Sequence, residues 1–223
     1  MQSFVQTPEQ LFISHPVFVQ STRMLADVYG LYPEERLLIA NAIPKRRAEF
    51  CAGRHCARQA LANIGKTASP ILADVNGCPV WPDSIVGSIS HTKNYAIAAI
   101  AWAVDLCAIG IDIELWKDSS VDWCSIKKIC SSAEKNWVDA LPGHDQKLAA
   151  HLIFSARESI YKCIYSATGV KLGANQVVVK PSSDRSVFSA NISLANLSCD
   201  LEGSFGFNDD YVFSAVWMPT LPP

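Results

Sequence analysis

The stretch Ile109-Gly110-Ile111-Asp112-Ile113-Glu114 changes polarity at every step, the period of a half-buried β-strand. The alternation predicts Ile109, Ile111 and Ile113 in a core. Gly110, Asp112 and Glu114 then share the opposite face, with the two carboxylates adjacent along it. A second kind of pattern runs from Lys45 to Ile64 behind Pro44 and before Gly65. Phe50, Ala57, Leu61 and Ile64 fall on one side of a helix there, with a proline at its start and a glycine at its end. A further helix is predicted from about Lys147 to Thr168, closed by Gly169. Leu148, Ile153, Ile160, Ile164 and Ala167 form its apolar side, and Ser155, Glu158, Lys162 and Tyr165 another.

Strand patterns fill the rest. Ile71 to Val75 leads into the Asn76-Gly77 reversal. Val86 to His91 alternates, and Tyr95 to Val104 is a nearly continuous apolar run, as in a strand covered on both faces. Gln176 to Lys180, Val187 to Ser193, Ser204 to Phe207 and Tyr211 to Trp217 follow the second helix. Met24 to Tyr29 reads as a short helix, and Lys117 to Asp145 as a polar segment. The order helix-then-meander occurs twice. It predicts an α+β fold of two similar lobes, each a helix packed on a mostly antiparallel sheet, related by a pseudo-twofold axis. The lobes are expected at 1–108 and 109–223, with the active site in the cleft between them.

Composition narrows the class. The chain has 223 residues, 49% hydrophobic and 18% charged, with a mean hydropathy of +0.14, as in an ordered globule able to bury a proper core. The net charge of −2 gives no general attraction for nucleic acid. No apolar run is long enough to span a bilayer, and the N-terminus lacks the pattern of an export signal. The eight cysteines form no C-x-x-C pair or zinc spacing. They read as reduced thiols of a cytoplasmic protein.

Candidate chemistry starts from the carboxylate face. Two acids side by side repel unless a cation lies between them, and hard oxygen ligands suit Mg²⁺ together with substrate phosphates. The plainer alternative is a solvated strand edge; Gly110 favours the ligand, because a position without a side chain admits close approach. Arg47, Arg54 and Arg58 are seven and four apart and stack along one helix face. Such a row is either solvated or grips a polyanion, since each guanidinium holds a phosphate bidentately. Glu158 and Lys162 are either a surface pair or a third metal ligand beside a phosphate-facing cation. Ser90-His91 at a strand end is either structural or an anion contact.

In order along the chain, Gly77-x-Pro79, Ile89-Ser90-His91, Ile109-Gly-Ile-Asp-Ile-Glu114 and Phe154-Ser-Ala-Arg-Glu-Ser-Ile-Tyr-Lys162 resemble the successive motifs of 4′-phosphopantetheinyl transferases. The likeness is to the broad-specificity Sfp and enterobactin synthase component D type, and the helix Arg46-Arg47-Ala-Glu-Phe-x-x-Gly-Arg54-x-x-x-Arg58 of this chain resembles that of the enterobactin-type branch. Two positions depart from the pattern: Arg157 replaces a frequent lysine, and Cys78 stands where some relatives carry a basic residue on phosphate.

The resemblance implies transfer of the phosphopantetheine arm of coenzyme A to a serine of an acyl or peptidyl carrier protein, releasing 3′,5′-ADP. It implies Mg²⁺ held by Asp112, Glu114 and Glu158. Glu158, or a water beside Glu114, would take the serine proton. Lys162 would neutralise the pyrophosphate and protonate the leaving phosphate. Ser90, His91 and the Arg47/Arg54/Arg58 stripe would hold the nucleotide end. The carrier would dock on an apolar patch with a basic rim, with the segment around Trp123 to Trp137 as candidate. A chain holding both lobes implies a monomer. The competing readings are a coenzyme A- or nucleotide-binding module without transfer activity and a Mg²⁺-dependent phosphohydrolase.

Overall fold

The computed structural model describes residues 7–12, 15–23, 30–117, 123–182, 186–194 and 197–220. Its strands and helices run β1 (Phe18–Arg23), α1 (Pro33–Leu38), α2 (Pro44–Asn63), β2 (Ile85–Thr92), β3 (Tyr95–Trp102), β4 (Leu106–Leu115), α3 (Trp123–Ile126) and α4 (Ser132–Asp139). They continue with α5 (Gly143–Thr168), β5 (Val177–Pro181), β6 (Val187–Leu194), β7 (Leu197–Phe207) and β8 (Tyr211–Pro219). Two antiparallel sheets result, ordered β1-β3-β2 and β4-β8-β7-β6-β5. Each carries one long helix, α2 on the first and α5 on the second. This is the expected α+β architecture, with two more strands in the C-terminal sheet.

The apolar run of β3 explains the layering. Ala96, Ala98 and Ile100 face α2, where Ala52, Cys56, Ala57, Ala60 and Leu61 pack on them. Small residues on both surfaces let helix and sheet approach closely. The alternate residues Ile97, Ala99 and Ala101 face the second sheet, against Ile109, Ile111 and Ile113 of β4 and Phe213 and Ala215 of β8. The three isoleucines are 0%, 0% and 1% exposed, as their alternation predicts. On the far side of the second sheet, Leu148, Leu152, Ala156, Ile160 and Ile164 of α5 cover Val177, Val179, Phe188 and Ala190.

The edges β2 and β4 meet without a shared backbone ladder. The amides of Ile111, Ile113 and Leu115 donate to the hydroxyls of Ser88, Ser90 and Thr92 at 3.1, 3.4 and 3.3 Å, each pair 23 residues apart. That constant offset means the strands run parallel. Side-chain hydroxyls occupy the acceptor positions that carbonyls fill in an ordinary ladder.

Some expectations change. Ile71 to Val75 forms no strand: a single bridge pairs Ala73 with Pro79, and prolines 79 and 82 withhold the amides a ladder needs. The polar segment contains α4, capped by Ser131 and Glu134, each accepting the other's backbone amide. Helix α5 begins a turn earlier than its apolar pattern, directly after Pro142. Its end at Gly169 is as expected, at φ +69°. Met24 to Tyr29 lies outside the described residues. Among the described residues no helix is long and apolar enough to cross a membrane.

Candidate active site at the lobe junction

Gly110 sets the geometry. A Cβ built on it would meet the Ser159 carbonyl oxygen at 1.8 Å and the Cys163 amide at 2.8 Å. The open position expected to admit a ligand therefore admits the backbone of α5. Helix spacing then carries Glu158 and Lys162, flanking that contact, toward the Asp112 and Glu114 side of β4.

Lys162 is the centre of the polar contacts. Its Nζ donates to Asp112 Oδ1 at 2.7 Å, Ser90 Oγ at 2.9 Å and the Ile111 carbonyl at 3.0 Å, all three of its protons. The Ser90 hydroxyl donates to Asp112 Oδ1 at 2.8 Å while accepting from Lys162 and the Ile113 amide. A hydroxyl has one proton and two lone pairs, so Ser90 is fully engaged. It fixes the carboxylate and the ammonium from behind.

The site gathers three carboxyl groups around the single ammonium of Lys162. Asp112 is 3% exposed, and its Oδ2 is buried without a hydrogen-bond partner among the described residues. Burial pushes the Glu114 carboxyl up to about 8; Asp112 and Glu158 add to this and Lys162 opposes it. Burial likewise raises Glu158, reinforced by Asp112 against Lys162. An orphaned carboxylate oxygen among three acids and one ammonium fits a hard divalent cation. In this side-chain arrangement the acids share a field without forming a finished cage: among the described residues no three His, Cys, Asp or Glu side chains are gathered as a ligand group.

At the outer end of β2, His91 Nε2 accepts from Arg46 Nη1 at 2.6 Å. Its Nδ1 lies 3.7 Å from Glu49 Oε2. Burial lowers the His91 pKa, with Glu49 opposing. These groups border a cavity of about 90 Å³ shared with Arg54, Gly77 and Pro79. The arginine stripe divides. Arg54 Nε donates to the Ile71 carbonyl at 2.7 Å, and its guanidinium stacks 4.3 Å over Phe50. Arg47 donates to the carbonyls of Ala42 and Ala40 at 2.9 and 2.7 Å. Arg58 pairs with Glu35 at 2.9 Å and donates to the Gly30 carbonyl at 2.6 Å. Only Arg54 of the three lines the cavity. Arg46, absent from the stripe, reaches His91 instead; the signal for it was the shared face of Arg46, Glu49 and Gly53 at helical spacing.

A larger cavity of about 420 Å³ lies alongside, bordered by Gly77, Cys78, Pro79, Ser88, Lys162 and Tyr165. Cys78 is half-buried in its wall, and burial raises its thiol pKa. Arg157 takes no part. It is wholly buried, with Nη2 2.7 Å from Glu134 Oε2 and 2.8 Å from the Val177 carbonyl. In the expected docking segment, Trp137 packs beside Ile126, Cys130 and Ile153.

Fold and junction together define a class: an α+β protein of two antiparallel sheets with an acidic, lysine-bearing centre where β2, β4 and α5 meet. Family models identify it further. That for the 4′-phosphopantetheinyl transferase N-terminal domain matches residues 34–101, and that for the 4′-phosphopantetheinyl transferase superfamily matches 108–216. The chain is 34% identical over 163 residues to the 4′-phosphopantetheinyl transferase Svp of Streptomyces mobaraensis, covering 73% of this chain and 65% of that one. It is 33% identical over 163 residues to Npt of Nocardia iowensis, covering 71% and 70%. With enterobactin synthase component D of Escherichia coli (strain K12) it shares 34% over 119 residues, covering 53% and 54%. The matches thus span between about half and 70% of the relatives' lengths. The chain belongs to the 4′-phosphopantetheinyl transferase superfamily.

Proposed function

We propose that this chain transfers the 4′-phosphopantetheine arm of coenzyme A to a serine hydroxyl of an apo acyl or peptidyl carrier protein and releases 3′,5′-ADP. The reaction would take place in the cleft between a lobe of residues 1–108 and one of 109–223. The observation that carries the reading is the approach of Asp112, Glu114, Glu158 and Lys162 at one junction, in a member of this family. The serine oxygen attacks the phosphorus that bears the pantetheine, and the anhydride bond to the nucleotide phosphate breaks. Asp112, Glu114 and Glu158 would hold Mg²⁺, which when bound screens the pyrophosphate and the charge on the leaving group.

Glu158, half-buried beside the centre, takes the serine proton. Lys162 faces the larger cavity and the acids at once, so its ammonium offsets phosphate charge there. Arg46, Arg54 and His91 hold the nucleotide end, Arg47 and Arg58 brace the chain around α2 behind it, and Ser90 fixes Asp112 and Lys162. The carrier docks beside α3 and α4, where Lys128 and Lys135 attract an acidic partner. Since one chain supplies both lobes, it works as a monomer, in the cytoplasm.

The test is mass spectrometry of apo-carrier proteins after incubation with coenzyme A and Mg²⁺. A carrier serine gaining the phosphopantetheine arm supports the reading, together with loss of product in a folded Glu158→Ala variant. Normal turnover by that variant would overturn the role of Glu158. Coenzyme A bound but never transferred would overturn the transferase reading in favour of a binding module. Coenzyme A consumed without a carrier would favour a hydrolase.

A further inference from the structure

One group of contacts outside the acidic centre crosses between the lobes. Tyr165 lies on α5 one turn beyond Lys162. Its hydroxyl donates to Asp74 Oδ2 at 2.9 Å and accepts from Asn76 Nδ2 at 2.5 Å. The other Asp74 oxygen accepts the amides of Asn76 and Cys78 at 2.8 and 2.9 Å. One carboxylate therefore shapes the 74–78 turn and ties it to the helix of the opposite lobe. These bonds hold the Asp74 carboxyl below its usual range, the Cys78 amide contributing most.

Backbone bonds from Asp74 to Cys78, Gly77 to Asp74 and Val80 to Leu72 close the turn on itself, and Arg54 of α2 holds the Leu72 carbonyl at its base, but its tip has little apolar anchoring. Leu72, Val75 and Val80 are exposed, Val75 completely, and the surrounding segment has one isolated bridge. Gly77, at φ +85°, adopts a left-handed conformation that favours glycine. Yet Gly77 and Pro79 line both cavities, the smaller beside His91 and the larger beside Lys162. A wall common to both compartments is thus tied to α5 by hydrogen bonds made by a tyrosine 91 residues further along the chain than Asp74.

We propose that Tyr165 is a positioning residue for the nucleotide substrate. Through Asp74 and Asn76 it holds the 76–79 turn against α5, so that coenzyme A meets a formed pocket. The inference rests on the proposed transferase function and deepens it. Ordering the wall beforehand removes that cost from binding. Because the contacts are solvent-exposed hydrogen bonds remote from the core, their loss acts on substrate affinity and leaves the fold standing.

Tyr165→Phe keeps the ring and removes the hydroxyl. Its dissociation constant for coenzyme A by calorimetry, and its KM for coenzyme A, should rise about three- to tenfold, the scale set by losing the exposed bonds to Asp74 and Asn76. The kcat, the KM for the carrier and the melting temperature should stay unchanged. In an Asp74→Ala/Asn76→Ala background the same substitution should add nothing, since both partners of the hydroxyl are already gone. Unchanged coenzyme A affinity in Tyr165→Phe would overturn the proposal and leave the transferase assignment intact. A fall in kcat alone, or independent additive effects, would overturn it likewise. Failure of the unaltered protein to bind coenzyme A would overturn both.

Discussion

Arg157 Nη2 and Glu134 Oε2 lie 2.7 Å apart, and neither side chain has exposed surface. Arg157 also donates to the Ala174 and Val177 carbonyls. Glu134 accepts the amides of Ser131 and Val179. The pair thus joins α4, α5 and the start of β5. Removing one member leaves a buried charge without its counter-ion. Glu134→Ala should lower the unfolding free energy by about 3–5 kcal/mol in urea titrations. The double replacement Glu134→Leu with Arg157→Met should cost less than the single one, because no charge is stranded.

The unpartnered Oδ2 of Asp112 yields a prediction about metal. Protein stripped with EDTA should lose carrier modification and regain it with Mg²⁺. In a thermal melt, Mg²⁺ at about a hundred times its dissociation constant should stabilise the unaltered protein by about 2.7 kcal/mol. Asp112→Asn should lose most of that stabilisation. An equal shift in both proteins would place the ion elsewhere.

His151 gives a pH dependence unrelated to activity. It is 2% exposed; Nδ1 donates to the Lys147 carbonyl at 2.8 Å, and Nε2 is buried without a partner among the described residues. Burial holds its pKa below the usual value, with the Lys147 carbonyl opposing. The unfolded chain therefore takes up the proton more readily. This contribution to stability is present above the unfolded value of about 6.5 and is lost as pH falls through the window down to the folded pKa. Glu114 and Glu158, whose carboxyls are raised, act in the opposite sense over this range, so the check is a difference: from about pH 7 to about pH 5 the urea midpoint of the unaltered protein should fall relative to that of His151→Gln.

Gly110→Ala should be disproportionately harmful, since its Cβ would lie 1.8 Å from the Ser159 carbonyl. Displacing α5 should cost about 1–3 kcal/mol or more and should reduce turnover by moving Glu158 and Lys162. Gly143→Ala is the control: its Cβ would meet nothing within 4 Å, and both stability and turnover should remain near those of the unaltered protein.

Strand β4 and helices α2 and α5 were legible because each repeats one periodicity long enough to place a buried face, with prolines or glycines marking ends. The ordered motifs made the family legible. Partners were not, because spacing assigns a residue to a face and says nothing of what meets it. Arg58 looked available for phosphate until Glu35, 23 residues away, took its guanidinium. Gly110 looked open until α5 filled the space. Ser90 looked like an anion contact, but its hydroxyl is shared between Lys162, Asp112 and a neighbouring amide. Helix α4 lay in a segment read as merely polar, although Ser131 and Glu134 have the spacing of a capping box. The Tyr165–Asp74 contact joins distant positions through exposed polar atoms, which leave no periodic trace.

The hydroxyl seam between β2 and β4 makes assembly and chemical competence a single event. Ser90 is both a rung of that seam and a neighbour of the lysine–aspartate couple, so parting the halves disorders the reactive groups. A growing polypeptide whose later half has yet to arrive lacks Asp112, Glu114, Glu158 and Lys162 and so has no formed centre. Sliding one strand by a single residue would put every rung out of phase.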